Sequence, residues 1–307
     1  MNNPNDIRSV KCSKTSIWDA QTLVDITKGY WIVSPSDNWI GYSFCIEEKY
    51  FNVGDVVFIK KNNKTANEKE IKSYLQKGAS GFIIESDITI GNSFDVPILK
   101  VNSTSYTLET MAVYQRQRMK AKVIGVTGSV GKSTVKEILF HLLKTNYKVY
   151  RTFANYNLLA GVQLSIVNTP VDCDFAVYEM AIGSPGSLSI SSRLVKPDAV
   201  VLTEISNAHL ERHLSLENIV LEKLRILDSF DNGGTVAYLG DSESSSMIIK
   251  ELEKRKINSQ VSYGGHNSCD VRLNSSELRL GNQTIHFFCG KTPYFGILNL
   301  PGRHNAF

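Results

Sequence analysis

Thr127-Gly128-Ser129-Val130-Gly131-Lys132-Ser133-Thr134 is the stretch whose residue types and spacing could most directly do chemistry. Gly128 and Gly131 let backbone amides approach an anion, and a helix starting at Lys132 would aim its positive end at the same point. Lys132 adds a cation, and the Ser133 hydroxyl can ligate magnesium. The strict phosphate-loop pattern wants glycine where Val126 stands, so the match is to TGxxGKST. A glycine turn with a surface lysine is the plainer alternative. The apolar run before the loop and the amphipathic pattern after it (Val135, Ile138, Leu139, Leu142) favour phosphate binding.

Three further residues invite a chemical reading. Glu179 closes the run FAVYEM, where an α/β sheet presents ligands at its carboxyl edge, and could hold magnesium directly or through water. A solvated strand-end glutamate reads equally well from position alone. His209 follows the next apolar run, AVVLTEI, and by itself reads as a loop histidine. Lys223 occupies the apolar stripe Leu216, Val220, Lys223, Leu227, a place the pattern would give to leucine. It either snorkels to water or is buried enough to become a reactive amine. His141, His213, His266 and His286 read as surface or packing residues.

The elements that must position these groups follow from periodicity. Residues 55–101 read as a strand (DVVFIK), a helix over Asn67 to Gln76, a strand (GFIIE) and a strand (VPILKV), which makes a small α/β domain. Tyr106 to Lys120 reads as a helix, and a boundary near residue 118 gives domains 1–118 and 119–307. After it come strand Val123 to Val126, helix Lys132 to Lys144, strand Val149 to Phe153, helix Leu158 to Val167 and strand Phe175 to Met180. Strand Ala199 to Ile205, helix Leu216 to Phe230, strand Thr235 to Leu239 and helix Ser244 to Lys254 continue the pattern. Alternation at this pace predicts a doubly wound, mostly parallel sheet, because parallel neighbours need crossover helices. Asp270 to Leu300 turns strand-rich and fits an antiparallel edge.

Composition narrows the class. A chain of 307 residues exceeds one ordinary core, so two domains are expected. No apolar run reaches the roughly 20 residues that span a bilayer, and MNNPNDIRSVKCSK lacks a secretory apolar segment, so a cytoplasmic protein without membrane contact is expected. Five cysteines without a CxxC argue against disulfides and against zinc. The net charge of +4 is dispersed, which gives nucleic acid no defined footprint.

Taken in order, TGSVGKSTVKE, TFANYNLLAG, VYEMAIGSPGSL, NAHLERHLSLENIVLEK and LPGRHNAF resemble the Mur ligases over about residues 50–307. Within them the UDP-N-acetylmuramoyl-tripeptide D-alanyl-D-alanine ligase branch is the most similar. The resemblance implies ATP-dependent amide bond formation: ATP phosphorylates a substrate carboxylate, and an amine attacks the acyl phosphate. By resemblance, the loop Thr127–Thr134 binds ATP and Lys132 neutralises the transferring phosphoryl group. Ser133 and Glu179 hold a first magnesium, and His209 matches the histidine used for a second. Lys223 matches a lysine that many members carry as a carbamate, an oxygen ligand suited to magnesium. His304 and Asn305 match the segment that contacts the nucleotide, and Asn155 matches an asparagine after the second strand of the ATPase domain. The implied partners are a carboxylate substrate of the UDP-linked muramoyl peptide type and an amino acid or dipeptide.

Departures concentrate where the substrate would sit. Ile46-Glu47-Glu48 replaces the family's acidic-Ser/Thr-Arg signature, and two carboxylates would repel a diphosphate. The paired asparagines of NxNN become Asn157-Leu158, Gly-Ala-Asn-His-x-Gly-Glu becomes Ala181 to Ser187, and an acidic residue after the special lysine becomes Arg225. Family members continue past GRHN with a helix and a domain that closes over the site. The expectation here is an ATPase domain incomplete at its C-terminal end, lacking that C-terminal domain, as a fragment or with the missing part supplied by another chain. The alternative function is a truncated or degenerate ATP-binding partner without ligase activity.

Overall fold

A computed structural model describes residues 18–60, 64–91, 94–206, 215–230, 233–279 and 282–298. The chain forms two compact units, the first made of 1–121 with 146–156 and 160–174, the second of 122–145, 157–159 and 175–307.

The first unit contains β1 (Trp18–Asp19), α1 (Ala20–Thr27), β2 (Tyr30–Val33), β3 (Ile40–Gly41), β4 (Phe44–Cys45), β5 (Val56–Ile59), α2 (Lys64–Gln76), β6 (Gly81–Glu85), β7 (Ile98–Val101) and α3 (Thr104–Arg118). Its main sheet has the order β2-β7-β6-β5-β4, parallel except for β2. All four residues of β5 are buried, as a strand covered on both faces requires. Val57, Ile59, Ile71, Phe82, Ile84 and Ile98 form the centre of this core. The α3 helix starts at Thr104, two residues before the predicted Tyr106, because the Ser103 side chain accepts from the Tyr106 amide and caps it. In the segments 146–156 and 160–174, Asn168 exchanges two hydrogen bonds with the Phe44 backbone, at 2.8 and 2.9 Å. The Trp18 indole donates to the Val167 carbonyl at 3.2 Å.

Along the rest of the chain lie β8 (Lys122–Thr127), α4 (Lys132–Leu143), β9 (Val149–Arg151), α5 (Leu159–Val167), β10 (Phe175–Glu179), α6 (Ser187–Val195), β11 (Ala199–Leu202) and α7 (Leu216–Leu224). They are followed by β12 (Thr235–Leu239), α8 (Ser245–Lys254), β13 (Gln260–Gly264), β14 (Val271–Arg279), β15 (Asn282–Cys289) and β16 (Thr292–Leu298). Within the second unit the strand order is β16-β15-β14-β13-β12-β11-β8-β10. Pairing is parallel from β14 to β10, while β14, β15 and β16 form an antiparallel meander. The α/β class and the antiparallel edge match the sequence-based expectation.

Register places the chemistry. Glu179 pairs with Val126, and Leu202 pairs with Thr127, so β8, β10 and β11 end together at one carboxyl edge. Two expectations needed correction. The helix predicted to run to Phe230 ends at Leu224 and tightens into a 3₁₀ turn over Arg225–Leu227. The stripe Val135, Ile138, Leu139, Leu142 does not define the buried face of α4: Lys136 and Phe140 are its buried residues, and Leu142 is 66% exposed. Among the described residues, no helix is long and apolar enough to cross a membrane.

Candidate functional site

The loop between β8 and α4 is shaped by its two glycines. A Cβ on Gly128 would lie 1.9 Å from the Thr203 hydroxyl, so only glycine lets the strand end approach the segment after β11. Gly131 has φ +86° and stands at the N-cap of α4 with no side-chain capping bond. Gly131 thus puts no capping oxygen of its own over the first-turn amides of α4, the arrangement that suits an anion at a helix N-terminus. The amides of Ser129 and Val130 donate to the Glu204 carbonyl at 2.7 and 3.3 Å. The Ser129 hydroxyl donates to the Ser206 carbonyl at 3.0 Å. Val130 is exposed at the loop tip, and Thr134 is half-buried in the first turn of the helix. The Thr127 hydroxyl is buried and meets no hydrogen-bond partner among the described residues.

Positive charge gathers around this loop. Lys132 Nζ donates to the carbonyls of Gly128 and Ser129 at 2.9 and 3.0 Å. Lys223 Nζ, on α7, donates to the same Gly128 carbonyl at 2.7 Å. Burial lowers the proton affinity of Lys132, with nearby Glu179 opposing the shift. Burial, and then the Lys132 charge, bring Lys223 down to about 8. At 4% exposure Lys223 does not snorkel to water, which settles the stripe anomaly in favour of burial.

Glu179 is the buried carboxylate of the cluster, 1% exposed. Its Oε2 accepts from the Ser133 hydroxyl at 2.9 Å and lies 3.5 Å from Lys136 Nζ. Its Oε1 accepts from Asn157 Nδ2 at 2.8 Å. Sequence reasoning passed over Lys136 and treated Asn157 only as a departure from a pattern. A signal existed for Lys136, which stands one helical turn after Lys132, on the same face of α4.

The structure thus brings Thr127–Thr134, Glu179 and Lys223 to one carboxyl edge of the second unit. Asn155 belongs to the first unit, where it is exposed and its side-chain oxygen accepts from the Tyr50 hydroxyl at 2.6 Å. His209, His304 and Asn305 lie outside the described residues. Also in the first unit, Glu47 pairs with Lys49 at 2.9 Å, and Glu48 pairs with Lys77. The carboxylates read as repelling a diphosphate are therefore partly neutralised by lysines.

The family model of the Mur ligase middle domain matches residues 126–307. The chain belongs to the Mur ligase family. Among Mur ligases, it is 30% identical over 257 residues to a UDP-N-acetylmuramoyl-tripeptide–D-alanyl-D-alanine ligase of Rickettsia prowazekii, covering 84% of this chain and 56% of that one. The ligase of the same description from Bacillus subtilis is 35% identical over 144 residues, which are 47% of this chain and 32% of the relative. A crystal structure of MurF ligase from Thermotoga maritima in complex with ADP aligns with TM-score 0.63 at 28% identity, over 84% of this chain and 58% of that one. MurF from Acinetobacter baumannii, at 22% identity and TM-score 0.74 over 95% of this chain and 63% of its own, shows the shared Mur ligase fold. The chain spans little more than half the length of the Rickettsia relative, at 56%.

Proposed function

We propose that this chain carries the nucleotide site of an ATP-dependent amide ligase of the Mur type, joining an amino acid or dipeptide to a carboxylate of the UDP-linked muramoyl peptide class in peptidoglycan precursor synthesis. The observation that carries the reading is the charge around the glycine loop. Lys132 and Lys223 converge on the Gly128 carbonyl, and Lys136 reaches the deeply buried carboxylate of Glu179. Two ammonium groups converging on one loop carbonyl suit a polyanion. The ADP complex of the Thermotoga relative supports the same choice of ligand.

In this reading a substrate carboxylate oxygen attacks the terminal phosphorus of ATP, the bond to the bridging oxygen breaks, and ADP leaves. The amine then attacks the acyl carbon, loses a proton, and expels phosphate. Lys132 neutralises charge on the transferring phosphoryl group, and the first-turn amides of α4 hold its oxygens. Such a reaction depends on positioning and charge more than on covalent help. The hard oxygens of Ser133 and Glu179, 2.9 Å apart, fit the donor set that magnesium prefers. When bound, magnesium would add positive charge beside the phosphates. With a proton affinity near 8, Lys223 has a neutral fraction at physiological pH. That amine can attack carbon dioxide and lose a proton to become a carbamate, turning a cation into an oxygen donor. His209 as a second metal ligand, and His304, Asn305 and Asn155 as nucleotide contacts, belong to this reading by family resemblance.

The test is amine-dependent ADP release by a form of the protein extended to the full length of its relatives, offered UDP-muramoyl tripeptide and D-alanyl-D-alanine. ADP release that requires both substrates supports the ligase. Nucleotide binding without turnover on any carboxylate and amine pair would leave a nucleotide-binding protein, as a partner without ligase activity would be.

A further inference from the structure

Lys136 has no role in the reaction just described, yet its side chain is 2% exposed and reaches Glu179, 1% exposed, at 3.5 Å. A buried ammonium and a buried carboxylate each cost several kcal/mol without a counter-charge. Lys136 Nζ also lies 3.4 Å from Glu137 Oε1, a carboxylate 39% exposed. It thus spans from the buried centre of the site toward its rim. Both oxygens of Glu179 are committed in this arrangement, Oε1 to Asn157 and Oε2 to Ser133 and Lys136.

We infer that Lys136 is a positioning residue, the resident counter-ion of Glu179, which keeps the carboxylate aimed at Ser133 and makes this site a poor one for a divalent cation until a nucleotide arrives. The inference rests on the nucleotide-site reading above. A bare cation approaching Glu179 meets a carboxylate already paired with Lys136, with the Lys132 ammonium nearby on the Gly128 carbonyl that Lys223 also reaches. Phosphate oxygens reverse that balance by engaging the lysines, and the cation is then favoured on Ser133 and Glu179. Because Lys136 lies on the face of α4 one turn beyond Lys132, a single helix carries both the phosphate-facing cation and the carboxylate-facing one.

Protein-bound Mn²⁺, measured by water-proton relaxation on the 307-residue chain with and without saturating ADP, tests this. Wild type is expected to bind Mn²⁺ alone at least tenfold more weakly than with ADP. Lys136→Met is expected to raise the nucleotide-free Mn²⁺ affinity tenfold or more, whereas Lys136→Arg, which keeps the charge, leaves it weak. A purely structural lysine would lower affinity in both states when replaced. Unchanged or weaker nucleotide-free binding in Lys136→Met overturns the inference, and so does wild type binding Mn²⁺ equally well with and without ADP. The latter comparison stands even if circular dichroism shows that Lys136→Met does not fold. Failure of wild type to bind ADP itself, measured by calorimetry, would overturn the nucleotide-site reading, and is read separately from the Mn²⁺ comparison.

Discussion

Lys223 is held where a lysine is uncomfortable, 4% exposed with a second ammonium nearby. Its proton affinity falls from 10.5 to about 8. Between those values the unfolded chain binds a proton that the folded chain does not, so stability rises with pH across that window. Below pH 8 the folded protein carries the full cost of a charged buried amine. Urea unfolding from pH 7 to 10 is expected to show this rise, and Lys223→Met is expected to flatten it. If Lys223 is carbamylated as proposed, Lys223→Ala in the full-length form is expected to abolish turnover, with partial rescue by short carboxylic acids; unchanged turnover would remove Lys223 from the mechanism. On the proposed function, Lys132→Ala removes a charge-assisted contact to phosphate of about 1.5–3 kcal/mol. ADP affinity measured by calorimetry is expected to fall about ten- to a hundredfold.

At the level of elements, two close approaches and one helix face carry the argument. The Thr203 hydroxyl stands where a side chain at 128 would go, and a Cβ on Gly161 would meet the Tyr156 backbone at 2.7 Å. Gly161→Ala in α5 is therefore expected to cost about 1–3 kcal/mol in chemical denaturation by overpacking. Gly128→Ala is expected to lose ADP binding as well as stability, because the displaced segment is the loop proposed to hold phosphate. The buried face of α4 is tested by a contrast. Phe140→Ala is expected to cost about 3–5 kcal/mol, and Leu142→Lys is expected to fall within about 0.5 kcal/mol of wild type, as exposed positions do. The reverse order would restore the stripe expected from periodicity.

For the whole molecule, the proposed ligand is itself a stability term. ADP at about a hundred times its dissociation constant would raise unfolding free energy by about 2.7 kcal/mol, a gain that thermal melts with and without nucleotide can read. The second unit was legible in sequence because its strands are short apolar runs separated by helical patterns, and β12 lies where predicted, Thr235–Leu239. Other elements were not legible. The α6 helix buries Ser187, Ser189, Ser191 and Ser192 along with Leu188 and Val195, so polar residues share its inner face. The strands before residue 55 include three of only two residues each, too short to show alternation.

By itself the sequence determined that a glycine loop, a lysine and a hydroxyl follow one another between a strand and a helix, and that glutamate closes a later strand. These are local facts, set by spacing and backbone conformation. It also exposed Lys223 as a misfit in an apolar stripe, since a charge in a periodic pattern is visible without coordinates. Only the tertiary structure decided what that misfit touches, that Asn157 and Lys136 flank Glu179, and which side of α4 faces inward. Periodicity describes a helix up to a rotation about its axis, and the phase of α4 comes from what surrounds it, including the buried carboxylate on β10 that Lys136 reaches at 3.5 Å.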